Sequence, residues 1–240
     1  MDVLILADGD VSTRAELDAA WPGWDAAVGL IIASDGGARH AAALGLRIDL
    51  WVGDGDSIAA ADLATLVSSG VPVERSRADK DESDTELAIH AALKLGADGI
   101  IILGALGGPR IDHAVANIGL LAMPELADRR AWILDARSRI GCLRAPGAGG
   151  EATTRSLPGR IGDLVSLLPL GDAVEGVTSH GLRFPLVDEA LPVGPARGLS
   201  NAIEATGASV SLRSGILLII ESPASWHLLL GSDHEPASRR

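Results

Sequence analysis

The chain has 240 residues, 47% of them hydrophobic and 22% charged, so it can bury one large core or two smaller ones. Its formal net charge of −12 and its lack of a Lys and Arg cluster argue against sequence-independent binding to nucleic acid. The single cysteine, Cys142, excludes a disulfide framework and a cysteine-based zinc site. The sequence has no basic leader, and its longest apolar runs are far shorter than the roughly 20 residues needed to cross a bilayer. We therefore expect a cytoplasmic protein without membrane or nucleic-acid partners.

The first half of the chain alternates strand and helix patterns. Buried strands are predicted at residues 3–7, 29–33, 48–52, 71–74, 99–103 and 131–134. Helices are predicted at residues 13–22, 38–44, 59–69, 83–95 and 112–121, several of them closed by a glycine. Strands that alternate with helices imply a parallel sheet covered on both faces. Residues 1–143 are therefore predicted to be an α/β, Rossmann-like domain.

The second half has a different pattern. Residues 144–159 are rich in Gly, Pro, Ala and Thr, which indicates a connecting segment. Short β-prone segments follow at 163–168, 174–178, 208–213 and 215–221, the last two joined by a predicted hairpin loop at Arg213-Ser214-Gly215. We therefore expect a smaller antiparallel β-sandwich domain over residues 144–231 and a disordered polar tail over residues 232–240.

Acidic residues are concentrated between Trp51 and Glu86. In an extended segment Asp54 and Asp56 would point to the same side, roughly 6 to 7 Å apart, and Gly55 between them would let them converge on one ligand. Paired carboxylates repel each other unless a cation lies between them, and Mg²⁺ prefers such hard oxygen ligands. Asp-Gly is also a common turn signal, so a solvated turn remains the alternative.

Most of the other chemistry-bearing residues also follow predicted strands, where ligands bind at the carboxyl edge of an open parallel sheet. These residues are Asp35, the segment 79–84, Gly107 and Gly108. Glycine pairs at helix N-termini suit phosphate groups, and Lys80 and Arg110 could bind phosphate or form surface salt bridges. Neither a Walker A motif nor a Gly-x-Gly-x-x-Gly fingerprint is present. Asp8 and Asp10 also lie at a strand end, where they could cap the following helix.

The motifs occur in a specific order along most of the chain. They are Asp35-Gly36-Gly37-Ala38, Gly53-Asp54-Gly55-Asp56-Ser57-Ile58, Asp79-Lys80-Asp81 with Ser83-Asp84-x-Glu86, Gly107-Gly108 followed by Arg110-x-Asp112-His113 and Ala116-Asn117, and in the second half Gly162-Asp163-x-Val165-Ser166-Leu167-x-Pro169, Gly181-Leu182-x-Phe184-Pro185-Leu186 and Ser200-Asn201. Together they resemble the motif set of the thiamine pyrophosphokinase family. Two positions depart from it: Pro109 stands between the glycine pair and Arg110, and Ser83 stands where threonine is common.

The resemblance implies Mg²⁺-dependent transfer of the pyrophosphoryl group of ATP to the hydroxyl of thiamine, which yields thiamine diphosphate and AMP. It implies that Asp54, Asp56 and Asp84 bind magnesium and orient the alcohol, with Asp84 accepting its proton. It further implies nucleotide contacts from Asp35, Gly36, Gly37, Lys80, Gly107, Gly108, Arg110, Asp112 and His113, and thiamine contacts from Asp81, Ser200 and Asn201. His113 is also open to a structural interpretation, as is usual for a lone histidine near a helix start.

The resemblance also implies a homodimer in which the β-domain of one chain closes the site of the other. Two further hypotheses are a pyrophosphokinase of the same fold that acts on another alcohol, such as a hydroxymethyl pterin, and a non-catalytic sensor of nucleotide or thiamine. The full set of carboxylates argues against the sensor.

Overall fold

A computed structural model describes residues 1–145 and 151–224 of the chain. The chain forms two compact units, Met1–Asp135 and a second that begins at Ala136. The sequence-based boundary after residue 143 falls inside the second unit, because the strand Arg139–Arg144 pairs along its whole length with the strand Ile216–Ser222. The predicted tail at 232–240 lies outside the described residues.

Unit 1 contains a parallel sheet of six strands. They are β1 (Asp2–Leu6), β2 (Val28–Ser34), β3 (Leu50–Gly53), β4 (Val73–Arg75), β5 (Gly99–Leu103) and β6 (Arg130–Leu134). Their spatial order is β6, β5, β1, β2, β3, β4, and every neighbouring pair is parallel. The chain therefore builds outward from β1 to β4 and then returns to the other side of β1. This return makes the gap between β1 and β5 the topological switch point of the sheet.

The helices of unit 1 match the predicted series. They are α1 (Arg14–Ala20), α2 (His40–Leu44), α3 (Ala60–Ser68), α4 (Asp84–Lys94) and α5 (Ile111–Leu120), with 3-10 turns at Asp35–Arg39 and Pro124–Leu126. Thr13 and Glu16 form a capping box at the start of α1, and Gly45 ends α2 with a positive φ of 68°. No helix among the described residues is long and apolar enough to span a bilayer.

Every residue of β1 and β5 is buried, without the alternation of a sheet that has one wet face. This pattern is the one expected for central strands of a parallel sheet covered on both faces. The predicted α/β fold of the first half is confirmed.

Unit 2 contains two antiparallel sheets. Its strands are β7 (Arg139–Arg144), β8 (Thr153–Ser156), β9 (Leu164–Pro169), β10 (Val174–His180), β11 (Glu189–Leu191), β12 (Asn201–Ala202), β13 (Ser209–Leu212) and β14 (Ile216–Ser222). One sheet has the order β12, β9, β14, β7 and the other has the order β11, β10, β13, β8. Buried side chains of both, among them Val165 and Ile219 from the first and Val177 and Val210 from the second, belong to one core cluster. The predicted β-sandwich is confirmed.

Two local predictions for this unit are wrong. The segment predicted as a connection contains β8, because Thr153–Ser156 pairs with β13; its residues 146–150 lie outside the described part of the chain. The segment Arg213-Ser214-Gly215 is not a hairpin loop. The strand before it pairs with β10 and β8, whereas the strand after it pairs with β7 and β9, so these three residues carry the chain from one sheet to the other. Gly215, with a φ of +95°, permits this change of direction.

Candidate active site

The candidate site lies at the carboxyl edge of the parallel sheet, as predicted. Asp35 follows β2, Asp54 follows β3, and Asp84 is the first residue of α4, after the β4 segment. Carboxylate oxygens of these three residues all lie within 4.8 Å of one another. We call Asp35, Asp54 and Asp84 the carboxylate cluster. Residues that are 49 positions apart in sequence are thus brought together by strand order alone.

Asp35 is the most constrained member of the cluster. It is 2% exposed and has a positive φ of 41°, a conformation that favours glycine or asparagine. The indole Nε1 of Trp51 donates to its carbonyl oxygen at 3.1 Å, and the Ser57 N–H donates to its Oδ2 at 3.0 Å. Gly53 leaves room for it, because a Cβ at that position would lie 2.9 Å from the Asp35 Cβ. The surroundings therefore hold this carboxylate in a conformation that the backbone alone disfavours.

The second carboxylate oxygen of Asp35, Oδ1, is buried and has no hydrogen-bond partner among the described residues. Burial raises the pKa of Asp35 to about 6; the Ser57 N–H opposes this rise, and the nearby Asp56 and Asp84 carboxylates add to it. A buried oxygen without a partner is costly unless a ligand satisfies it. The three carboxylates of the cluster, one of which has an oxygen without a partner, fit a magnesium ion, which prefers oxygen ligands.

Lys80 provides the positive charge closest to the cluster. Its ammonium donates to Asp84 Oδ1 at 2.6 Å and to Ser76 Oγ at 2.9 Å, and it lies 3.6 Å from Asp54 Oδ2. Burial lowers the pKa of Lys80, but the bonds to the two carboxylates outweigh burial and raise it above its usual value. Lys80, predicted from sequence as a phosphate partner, thus contacts the carboxylates. Ser76 was not predicted, because nothing in the local sequence distinguishes it from other loop serines.

Asp56, the third metal ligand implied by the family resemblance, lies outside the cluster as defined above. The expectation of an extended segment around Gly55 is wrong: the backbone bends at residues 55–58, and the Asp56 N–H donates to Asp54 Oδ1 at 3.0 Å. The Ser57 hydroxyl donates to the exposed Asp56 carboxylate at 2.8 Å. This bond is the largest cause of a lowered pKa at Asp56, and a hydrogen bond to Asp35 is the next largest. Asp56 therefore borders the cluster next to Asp35.

The glycine pair after β2 is buried, whereas the pair after β5 is exposed. A Cβ at Gly37 would lie 2.0 Å from the Leu6 carbonyl oxygen, so the close approach it permits is to β1 itself. Gly107 and Gly108 both have positive φ, and the Gly108 N–H donates to Asp10 Oδ2 at 3.1 Å. The loop that contains them follows β5 and thus lies at the topological switch point, where such sheets bind nucleotides.

The sequence had suggested that Asp8 and Asp10 cap α1. They do not, because Thr13 is the N-cap of this helix. Asp8 forms an ion pair with Arg39, and Asp10 accepts the Gly108 N–H described above. The Asp10 carboxylate therefore accepts the Gly108 N–H that was predicted from the sequence to bind phosphate. Gly36 packs directly against Asp8, since a Cβ there would lie 2.3 Å from the Asp8 carboxylate.

The other predicted residues near this edge are exposed. Arg110 and Asp112 form a two-point ion pair, with Arg110 Nε 2.9 Å from Asp112 Oδ1. That pair lowers the pKa of Asp112 to about 2. Asp79 pairs with Arg77, whereas Asp81 and His113 are simply exposed side chains. These side chains are not part of the carboxylate cluster.

Two of the three predicted thiamine residues, Ser200 and Asn201, lie in unit 2, whereas Asp81 lies in unit 1. Ser200 is exposed with a positive φ of 57°, and its N–H donates to Ser166 Oγ at 3.1 Å. Asn201 is buried: its Oδ1 accepts the N–H groups of Phe184 and Ala202, both at 2.9 Å, and its Nδ2 donates to the Phe184 carbonyl at 2.7 Å. Three of its four hydrogen-bonding positions are thus used within the fold. Asn201 fixes the backbone at Phe184, whose side chain is 58% exposed.

Carboxylates that suit a metal ion, next to a glycine loop that suits phosphate at the carboxyl edge of a parallel sheet, are features that a phosphoryl- or pyrophosphoryl-transferring enzyme requires. Residues 24–133 match the family model described as the catalytic domain of thiamin pyrophosphokinase, and residues 155–217 match that of its vitamin B1 binding domain. The chain belongs to the thiamine pyrophosphokinase family.

Individual relatives agree with the family models. A thiamine pyrophosphokinase of Bacillus subtilis is 26% identical over 170 residues, which cover 71% of this chain and 76% of the relative. The crystal structure of a thiamin pyrophosphokinase from Geobacillus thermodenitrificans aligns with a TM-score of 0.74 at 26% identity, over 92% of this chain and 97% of the other. The Bacillus subtilis crystal structure, at 23% identity and a TM-score of 0.75, covers 93% and 99% respectively and supports the fold.

Proposed function

We propose that this chain transfers the pyrophosphoryl group of ATP to the hydroxyl of thiamine and releases AMP and thiamine diphosphate. The observation that carries the proposal is the carboxylate cluster, with its buried unsatisfied oxygen, inside the segment that matches the catalytic family model. The separate match of the β-sandwich to a vitamin B1 binding domain supports thiamine as the acceptor.

Asp35, Asp54 and Asp84 would hold Mg²⁺, and Asp56, at the border of the cluster, completes the acidic set implied by the family resemblance. The metal ion would neutralise charge on the phosphate groups during the transfer. Asp84 also orients the thiamine hydroxyl and accepts its proton. The same carboxylates attract the fixed positive charge of the thiazolium ring, so one acidic site serves both the metal and the vitamin.

The phosphate chain of ATP would bind beside the switch-point loop. Gly107 and Gly108 supply N–H groups there, Arg110 supplies a guanidinium, and Lys80 supplies an ammonium. In the structure Asp10 holds the Gly108 N–H and Asp112 holds Arg110, so a polyphosphate would replace one carboxylate at each position. Asp35, Gly36 and Gly37 at the end of β2, together with Asp112 and His113 at the start of α5, provide the remaining nucleotide contacts in this proposal.

We also propose a cytoplasmic homodimer in which the β-sandwich of one chain completes the site of the other. Ser200, Asp81 and the remaining Nδ2 hydrogen of Asn201 would contact thiamine. Large apolar side chains that stay exposed in unit 2 support association, namely Ile161, Phe184, Val187, Val193 and Leu199.

The test is incubation of the purified protein with ATP, Mg²⁺ and thiamine, followed by chromatographic detection of AMP and thiamine diphosphate. Both products should appear in equal amounts, and neither should form with chelator in place of Mg²⁺. A hydroxymethyl pterin serves as the control alcohol. Release of ADP, or transfer to the pterin but not to thiamine, would contradict the proposal.

A further inference from the structure

The chain has 18 arginines but only two lysines, Lys80 and Lys94. Lys94 is exposed in the last turn of α4, while the Lys80 side chain is 13% exposed and lies at the carboxylate cluster. Lys80 can therefore report on the state of the cluster, and Lys94 serves as its matched control.

Lys80 binds the cluster in the way that a small cation would. Its ammonium contacts carboxylates from two separate segments, at 2.6 Å from Asp84 and 3.6 Å from Asp54. The hydroxyl of Ser76 accepts a further hydrogen bond from it at 2.9 Å. A compact ammonium can take such a position, whereas a planar guanidinium would present a wider, forked donor set.

We propose that Lys80 is the built-in counter-cation of the cluster, and that a divalent metal ion and the Lys80 ammonium compete for Asp54 and Asp84. The inference rests on the proposed function for its metal site. The metal ion needs the same carboxylates, and two cations this close repel each other, so metal binding displaces Lys80 from both.

The displacement has a direct consequence for the nucleotide. The freed ammonium stays on the segment that precedes α4, beside a metal ion whose remaining coordination positions suit phosphate oxygens. Metal binding thus converts Lys80 from a partner of carboxylates into a partner of phosphate. Lys80 is in this view a positioning residue that couples the binding of metal to the binding of nucleotide.

The first experiment measures Mn²⁺ binding by calorimetry, without ATP or thiamine, for the native chain, Lys80→Met and Lys94→Met. Methionine keeps the unbranched stem and removes the charge, so Lys80→Met should bind Mn²⁺ at least about tenfold more tightly. Lys94→Met should bind as the native chain does. Equal or weaker binding by folded Lys80→Met would overturn the competition. Absence of Mn²⁺ binding in all three proteins would overturn it together with the metal site.

The second experiment uses the native chain and does not depend on how a variant folds. With ¹⁵N-labelled lysine the side-chain Nζ spectrum contains two signals, which Lys94→Met assigns. Saturating Mg²⁺ should shift the Lys80 signal and leave the Lys94 signal in place. An unmoved Lys80 signal overturns the inference. Neither experiment requires turnover, so failure to form thiamine diphosphate would count against the proposed function and not against the competition.

Discussion

Asp35 combines two costs at a single residue: a carboxylate buried with one oxygen unsatisfied, and a backbone in the left-handed region. Packing does not offset these costs, since the only apolar atom of the side chain is its Cβ. The proposed cation would remove the first cost by satisfying the buried oxygen. Local strain of this kind is typical of functional sites.

Asp35→Asn should stabilise the metal-free protein above pH 6. The folded pKa of about 6 exceeds the ordinary 3.8, so between these values the folded state holds a proton that the unfolded state has lost. The free energy of unfolding therefore falls as pH rises through this window. Asparagine removes that loss. Denaturant unfolding in chelator should show the two proteins converging near pH 4 and the variant more stable at pH 8.

The exposed Asp172→Asn is the control and should show no such pH-dependent gain. Added Mg²⁺ should stabilise the native chain more than Asp35→Asn, because the variant lacks one ligand. A variant less stable than the native chain at pH 8 in chelator would show that the Asp35 charge is compensated in some other way.

Asp54→Asn and Asp84→Asn should each lower turnover at least about 100-fold, because each removes a charge that the metal and the transferred group require. Asp79→Asn, which alters an exposed residue paired with Arg77, should keep near-native turnover. Activity is measured as AMP release at saturating thiamine. Near-native turnover in either cluster variant would remove that residue from the proposed metal site. Asp56→Asn belongs in the same series: a loss equal to that of Asp54→Asn places Asp56 among the ligands.

At the scale of elements, hydrophobic runs and glycine stops were sufficient to predict every strand of the parallel sheet to within a few residues. They were also sufficient to predict that Asp35, Asp54 and Asp84 end at one edge. Around Gly55 the sequence left an extended segment and an Asp-Gly turn both open, because the choice depends on a hydrogen bond from the Asp56 N–H to the Asp54 side chain. The sheet change at 213–215 was missed for a related reason: hairpins and crossovers between sheets have similar sequences, and pairing partners distant in the chain decide between them.

Asn201 is a second residue whose role depends on contacts with a distant part of the chain. The sequence suggests a ligand contact, whereas its side chain holds the backbone of Phe184, 17 residues away. Asn201→Ala should therefore destabilise the protein by about 1–3 kcal/mol without any thiamine present, because it leaves buried backbone groups unsatisfied.

The matched control is Ser200→Ala, which removes an exposed hydroxyl and keeps the backbone N–H that bonds Ser166. Its melting temperature should stay near that of the native chain. Asn201→Ala could instead have the melting temperature of the native chain and only raise the KM for thiamine. The internal hydrogen bonds would then contribute little to stability, and the residue would act mainly on the substrate.

At the scale of the whole molecule, charge governs how ATP binds. The chain carries a formal net charge of −12, and the cluster adds local negative potential where the phosphates are proposed to lie. Calorimetric affinity for ATP should therefore rise at least about tenfold when Mg²⁺ replaces chelator. Equal affinity under the two conditions would contradict a metal bridge between the carboxylates and the nucleotide.

The proposed dimer makes a separate prediction about inactive variants. Asp54→Asn and Asn201→Ala, unfolded together and refolded as a mixture, should regain activity, because one site in each mixed dimer has both residues intact. The assay temperature must lie below the melting point of Asn201→Ala. Each variant refolded alone is the control and should stay inactive. Sites built within one chain would leave the mixture as inactive as its parts.

The left-handed backbone of Asp35 also bears on how such a chain responds to selection. Asparagine and glycine adopt a φ of +41° more readily than aspartate, and neither brings a buried charge. A library selected only for heat resistance should therefore enrich these two replacements, and both lack the carboxylate that is proposed to bind the metal. Aspartate should persist at position 35 only if the selection also requires synthesis of thiamine diphosphate.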